Sequence, residues 1–466
     1  MAFKDLFWWL EGPQKIVWTP FWWIILIAVL FSIPGFWIWW WLFVPFILMV
    51  RLQSLYLWWL GWDFWYGKQK WAVLEVVPPK EILAPLTAME DVFSVVWTLG
   101  DRANWREVWC EGELPKFPYW FSWEIVSVEG KVHFYLRFLA EHRHLIESIL
   151  YSHYPEIEIT KVQDYTKNIP QNIPNEEWDF YGEDYKLGRK DFFPIKTYSK
   201  FFEPQGERIS QEEKRIDPIV SLLEGMARLG PGEQAWLQII TVPLLDEEIP
   251  WRDEAKKEIA KIARRKEKSK KTILEIILDE LAIMLHFMFS GKPEEYEESL
   301  EKALSPAVSD LGEREMLITP GEREILTAIE EKIKKVAYKV NIRGLYIAKR
   351  NAWKGAHGKI IRSYFPHFAT ANLNHFRFST KTRTKVNFFM RERLKYYRQK
   401  RMFMNYVLRF PPLYPTLVGE ANPILNAEEL ATIFHFPTRL TGAIAPTTER
   451  VEAKKAGPPA NLPVEE

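Results

Sequence analysis

Cysteine is almost absent: Cys110 stands alone in 466 residues. One thiol excludes an intramolecular disulfide and leaves too few ligands for a cysteine-based structural zinc site. Acidic and basic side chains are missing altogether from the 35 residues 16–50, which excludes a wholly soluble chain. Equally absent are the short motifs that carry much enzyme chemistry. There is no G-x-x-x-x-G-K-[ST], no G-x-G-x-x-G after a strand, no H-E-x-x-H and no G-x-S-x-G. The nearest approach to a phosphate loop, Gly355-Ala356-His357-Gly358-Lys359-Ile360, lacks both the loop length and the hydroxyl that would meet Mg²⁺. The reading is therefore of a non-enzyme without cofactor or metal.

What is abundant is placed unevenly. Fourteen of the 23 tryptophans lie in residues 1–71. The uncharged stretch is too long for one straight span of about 20 residues, and Pro34-Gly35 interrupts it near the middle. These features predict a Trp-rich transmembrane hairpin as an N-terminal anchor over 1–71, or one tilted helix with an interfacial segment beside it. Lys4 and Lys15 on one flank and Arg51, Lys68 and Lys70 on the other put both ends, and the soluble part, on the cytoplasmic side of the cell inner membrane.

Beyond Trp71 the hydropathy alternates. A strand over 72–77, a helix over 85–99, strands carrying Phe121, Trp123 and Ile125 and then Val132, Phe134, Leu136 and Phe138, a helix over 140–154 and a strand at Ile157 and Ile159 follow in turn. The order β-α-β-β-α-β predicts a ferredoxin-like domain over 72–165. A second such α/β unit is expected over 166–350, with a helix over 217–229, a strand over 235–242, a helix launched by the Thr319-Pro320-Gly321-Glu322 capping box and a strand over 338–348. A charged helical insertion occupies about 250–315, and its ten Lys or Arg between Arg252 and Lys271 read as a solvated face with i,i+4 pairs. The expected fold class is thus a membrane-anchored α+β chain with two ferredoxin-like units, a helical insertion, a basic C-terminal module with a short helix over 351–441, and a flexible tail over 442–466.

Isolated reactive groups carry little. His142 and His144 are two apart, so on a helix they point away from each other and do not share a metal ion. Cys110 has Arg106 four residues before it but Glu111 beside it, and reads as a small, buried apolar residue.

The basic module is different. Residues 341–409 hold 17 Lys or Arg against one acid, Glu392, inside a chain whose net charge is +1. Arg377, Lys381, Arg383, Lys385, Arg391, Arg393, Lys395, Arg398, Lys400 and Arg401 alternate with Phe376, Phe378, Phe388, Phe389, Tyr396, Tyr397 and Phe403. Cations would meet phosphates and exposed rings would stack on unpaired bases. Anionic lipid headgroups, or the acidic face of a partner or of residues 72–340, are the competing ligands, and many of the rings would serve equally as core.

The string from Ile424 to Pro437 reads first as a short helix. Asn426 caps it, Glu429 closes the capping box, Leu430, Ile433 and Phe434 share a face, and Pro437 follows its end, so it would dock on its own domain. The same string, N-x-E-E-L-A-T-x-F-H-F-P, resembles the segment that precedes the nucleotide-binding domain in HerA/TraD-like type IV secretion and conjugation ATPases. More loosely, the Trp-rich hairpin, Pro78-Pro79, residues 178–201 and the basic stretch resemble that non-catalytic N-terminal region too. The resemblance implies a membrane scaffold, an oligomer, that docks a separately encoded ATPase through Asn426, Glu428, Glu429, Leu430, Phe434, His435 and Pro437. DNA is a further partner it suggests. The alternative is a membrane-tethered nucleic-acid-binding protein with no dedicated ATPase.

Overall fold

The computed structural model describes residues 67, 69–79, 82, 84–100, 119–201, 217–244, 251–263, 319–387, 391–409 and 422–437. Nine strands make one sheet: β1 (Trp71–Val77), β2 (Phe121–Val128), β3 (Lys131–Leu139), β4 (Glu158–Val162), β5 (Trp178–Leu187), β6 (Glu233–Leu244), β7 (Ala337–Lys349), β8 (Phe376–Phe378) and β9 (Ile424–Asn426). Their order is β4-β1-β3-β2-β6-β7-β5-β8, with β9 added to the start of β7, and every pairing is antiparallel. The main helices are α1 (Thr87–Trp97), α2 (Arg143–His153), α3 (Pro218–Ala227), α4 (Trp251–Ile262), α5 (Pro320–Lys334), α6 (Ile360–Tyr364), α7 (Arg391–Val407) and α8 (Ala427–Ile433).

This corrects the expected fold class. In place of an anchor followed by separate α/β units, the described residues form a single continuous sheet. The two halves, β4-β1-β3-β2 and β6-β7-β5-β8, join where β2 pairs with β6 from Phe121 opposite Thr241 to Val128 opposite Gln234. Each of those two strands would otherwise expose a row of unpaired backbone groups, and the junction satisfies both. The transmembrane hairpin over 16–50 falls outside the described residues. Among the described residues no helix is long and apolar enough to cross a membrane. The longest of them, α7, has 17 residues and spans about 26 Å, short of a hydrocarbon core of about 30 Å, and it is studded with arginine. Cys110, most of the insertion and the tail over 442–466 also lie outside the described residues.

The sheet is buried on both faces at its centre, where all twelve residues of β6 are buried. One face carries α1, α2, α3, α6 and α8 on an apolar core that includes Leu74, Phe93, Trp123, Phe134, Leu223, Leu237, Ile342, Leu430 and Phe434. Amphipathic spacing explains the helices: α1 buries Met89, Val92, Phe93 and Val96, which recur at one-turn intervals. Asp217 caps α3 by accepting from the Ile219 amide, ahead of Pro218. The β2–β3 turn is tight because Glu129 and Gly130 both adopt positive φ, 53° and 88°.

The opposite face carries α7, with Met402, Phe403 and Tyr406 packed on Val126, Tyr165, Phe180, Trp236 and Leu345. Gly182 in β5 permits that approach, since a Cβ there would lie 2.4 Å from both Leu345 and Met402. A third, smaller cluster joins α4 and α5 through Trp251, Ala255 and Ile329. The Thr319 capping box of α5 is formed on both sides, Glu322 N–H to Thr319 Oγ1 at 3.2 Å and Thr319 N–H to Glu322 at 2.8 Å.

Candidate nucleic-acid interface

Helix α7 is fixed to the sheet by polar anchors along its inner side and at its end. Gln399 donates to Asp179 at 2.7 Å and to the Phe180 carbonyl, and the Asn405 carbonyl accepts from buried Arg343 at 3.0 Å. Arg343 itself lies 3.2 Å from buried Asp184. The strongest anchor is Arg409, two residues past the helix. Its Nε donates to Glu124 Oε1 at 2.9 Å and its Nη2 to Glu124 Oε2 at 3.1 Å and to Asp164 Oδ1 at 2.9 Å. Its Nη1 serves Asp164 Oδ2 and the Val407 carbonyl. All five guanidinium hydrogens are therefore used, with no exposure of the side chain to water.

Glu124 also accepts from Ser122, Gln238 and Tyr165, whose hydroxyl meets that of Tyr406 at 2.8 Å. Burial alone would raise the Glu124 carboxyl, but the Arg409 charge and these donors hold it below the usual carboxylate range. The same balance of burial and Arg409 lowers Asp164. Arg409 sits at φ 50°, a left-handed conformation that costs an L-residue about 1–2 kcal/mol, and its two carboxylates offset that cost.

So held, α7 turns its other side outward. Arg391, Arg393, Tyr396, Tyr397, Lys400 and Met404 are exposed, the two tyrosines at 46% each. Their spacing of three, four and seven residues puts Arg393, Tyr396, Tyr397, Lys400 and Met404 along one stripe. The Tyr396 and Tyr397 rings meet edge-on at 5.9 Å, and Arg393 lies 5.7 Å from the Tyr397 centroid. Near its start a mixed-charge groove of about 580 Å³ is lined by Asp179, Arg350, Glu392, Lys395 and Tyr396, among others.

The ten basic residues singled out in the sequence do not form one patch. Arg391, Arg393 and Lys400 join the tyrosines on α7. Arg377 in β8 and Lys381 and Lys385 after it are exposed. Lys395 pairs with Asp179 at 3.4 Å, Arg398 donates to the Thr380 and Arg383 carbonyls, and Arg383 donates to the Tyr181 hydroxyl at 2.8 Å. Arg401 is half-buried, close enough to act on the charges of Asp184 and Arg343.

The string from Asn426 to Pro437 lies inside the molecule. The capping box is present, Asn426 accepting from the Glu429 amide at 2.8 Å and Glu429 from the Asn426 amide at 2.9 Å. Glu429 also meets Lys332 at 3.0 Å, both side chains inaccessible to water, and Glu428 meets Lys335 at 2.9 Å. Leu430 and Phe434 are fully buried, with Phe434 5.4 Å from the Trp123 ring. His435 places Nδ1 2.8 Å from the Ala431 carbonyl and Nε2 2.9 Å from Asp217. Two acceptors require both nitrogens to donate; burial opposes that charge, but Asp217 prevails and raises the imidazole above its ordinary value. Pro437 is buried too.

Gly355 to Ile360 forms a short turn in which His357 Nδ1 meets buried Glu233 at 2.7 Å, an internal pin and not a phosphate cradle. Among the described residues no group of three or more His, Cys, Asp or Glu could hold a metal ion. The charges that matter most to α7, namely Glu124, Asp164, Arg343 and Arg409, were not singled out in the sequence. Their only trace is a lone carboxylate, Glu124, between Trp123 and Ile125 in a strand that is otherwise apolar or small. No protein-family model matches the chain, and no characterised protein matches it.

Proposed function

We propose that this chain is a non-catalytic scaffold that binds nucleic acid, single strands in preference to duplex, along the outward face of α7. One observation carries the reading: two neighbouring tyrosines, each nearly half exposed, stand among Arg391, Arg393 and Lys400 on a helix whose other side is locked to the sheet. Cations on a fixed helix neutralise phosphates and release their counterions, while exposed rings accept unpaired bases of any sequence. A duplex hides its bases from such rings, which is the basis of the strand preference. The rigid seat of α7 matters because side chains that are already placed lose less freedom on binding.

The test is fluorescence anisotropy of a labelled homothymidine strand against salt concentration. Replacing Arg391, Arg393 and Lys400 together by Gln should weaken binding at least tenfold and lower the log–log salt slope by about 2, three contacts at about 0.7 each. Unchanged affinity and slope would remove the reading. Docking of a HerA/TraD-like ATPase stands second. It rests on the resemblance of a string that the chain's own core occupies, and stoichiometric co-purification of an ATPase would restore it.

A further inference from the structure

On the sheet face away from α7, a pair of cations surrounds a single carboxylate. Glu183 in β5 is almost wholly buried and accepts four hydrogen bonds. Its Oε1 takes Tyr185 Oη at 2.8 Å and Arg362 Nε at 2.8 Å, and its Oε2 takes Tyr181 Oη at 2.7 Å and Arg362 Nη2. A carboxylate offers about four such sites, so Glu183 is saturated. Arg383 nevertheless sits against it, its Nε 3.7 Å from Oε2 and 2.8 Å from the Tyr181 hydroxyl. That hydroxyl also accepts from Arg362 Nη2 at 2.6 Å, so both guanidinium groups touch one phenol oxygen. Both also lie over the Phe378 ring, at 4.6 and 4.7 Å from its centroid. Burial and Glu183 push the Tyr181 hydroxyl up to about 12, which keeps it a neutral donor.

The arithmetic of charge and donors is then unbalanced. Two cations share one anion, and the Nη1 and Nη2 groups of Arg383 and the Nη1 of Arg362 have no acceptor among the described residues. Neither side chain is sealed in: Arg362 and Arg383 keep 27% and 21% of their exposure. Both are also held in place. Arg362 projects from α6, and the Arg383 backbone is pinned by its amide to the Ser379 carbonyl at 3.1 Å and by Arg398 on its own carbonyl at 3.0 Å. Thr384 next to it accepts from the Gly182 amide at 3.0 Å.

We infer that Arg362 and Arg383, oriented by Glu183, Tyr181 and Phe378, form a binding site for a phosphate group. A fixed guanidinium fork matches the oxygens of phosphate in bidentate fashion. Two adjacent forks suit a tetrahedral anion, which takes donors from more than one plane, better than a planar carboxylate that one fork already serves. The phosphate is either free inorganic phosphate or a phosphodiester within a strand. This site goes beyond the α7 reading and stands without it.

The test is calorimetric titration of the full chain with inorganic phosphate, followed by competition with a short homothymidine strand. Arg383→Gln should weaken phosphate binding at least tenfold. Arg383→Lys, which keeps the charge and loses the fork, should fall between the two. Lys385→Gln, exposed nearby, should bind as the parent does. Displacement of phosphate by the strand identifies a phosphodiester site, and no displacement identifies a free-phosphate site. The proposal is overturned if the folded parent binds no phosphate, or if folded Arg383→Gln binds it as tightly. Normal phosphate binding together with unchanged strand affinity in the α7 variant would remove the assignment of nucleic acid to α7 and leave this site intact.

Discussion

The two faces of the sheet are built on different physics. The face under α1, α3 and α8 is held mainly by apolar side chains, with the buried Lys332–Glu429 and His435–Asp217 pairs at the ends of α8, and its helices are marked by local spacing and caps. The α7 face is also packed with Trp236, Tyr165 and Phe403, yet its helix is positioned by charges: Arg409 on Glu124 and Asp164, and Arg343 on Asp184. An apolar contact tolerates small shifts, whereas a fully hydrogen-bonded guanidinium accepts one geometry. The difference teaches that the helix offering an external surface is seated by long-range ion pairs between segments far apart in the chain, and not by its apolar stripe alone.

Breaking the comparison should be most costly at Arg409. Arg409→Met leaves buried Glu124 and partly exposed Asp164 without their cation and should lose about 3–5 kcal/mol in urea unfolding monitored by circular dichroism. Leu430→Ala on the opposite face should lose a comparable amount, about 2–5 kcal/mol, through cavity formation. Their pH responses separate them. Glu124 and Asp164 have lowered values when folded, so the stability that Arg409 supports is present above their unfolded values near 4 and is lost as pH falls through the folded ones. The Arg409→Met defect should therefore shrink toward acid while the Leu430→Ala defect stays constant. Equal pH dependence of the two would show that the faces do not differ as described.

A smaller effect probes the pair of His435 with Asp217, two residues past the end of α8. The His435 imidazole is raised above 6.5 when folded, so its contribution is fully present below the unfolded value and is lost as pH rises through the folded one. Compared with His435→Gln, the parent should be favoured in mild acid, by about 1.4 kcal/mol for each unit by which the imidazole is raised, and the gap should close toward alkali. Thermal unfolding of both proteins between pH 5 and 9 measures this. A gap that widens with pH would mean that His435 is buried neutral.

Much of the architecture was legible in the sequence where it depended on neighbours along the chain. Alternation marked β1, β2 and β3, and helical spacing marked α1 and α2; the Thr319 and Asn426 capping boxes were written in four consecutive residues each. What required distant partners was not legible. The pairing of β2 with β6 joins residues more than a hundred positions apart, and nothing in either strand names the other. Arg409 and Glu124 are 285 residues apart, so neither could be recognised as half of an ion pair. The basic module showed the same limit. Its composition announced a surface, but only packing separates Arg391, Arg393 and Lys400, which face outward, from Arg383, Lys395 and Arg398, which spend hydrogen bonds on the chain itself. The string at Asn426 gave its local structure correctly in capping and spacing, while its complete burial depended on Lys332, Asp217 and Trp123 from other parts of the chain.

The smallest expected effect sharpens the contrast within α7 itself. Arg391, Arg393 and Lys400 are exposed, and the one ion pair they make among the described residues, Arg391 with Glu392 at 3.6 Å, lies in water where such pairs contribute little. Replacing all three by Gln should shift stability by no more than about 0.5 kcal/mol, although it removes three charges. The outer side of α7 would then be free of structural duty while its inner side carries several kcal/mol, the pattern expected of a surface kept for a ligand. A loss of 2 kcal/mol or more in the same urea experiment would instead make these cations part of the fold, and would turn any loss of nucleic-acid binding in that variant into a consequence of a displaced helix.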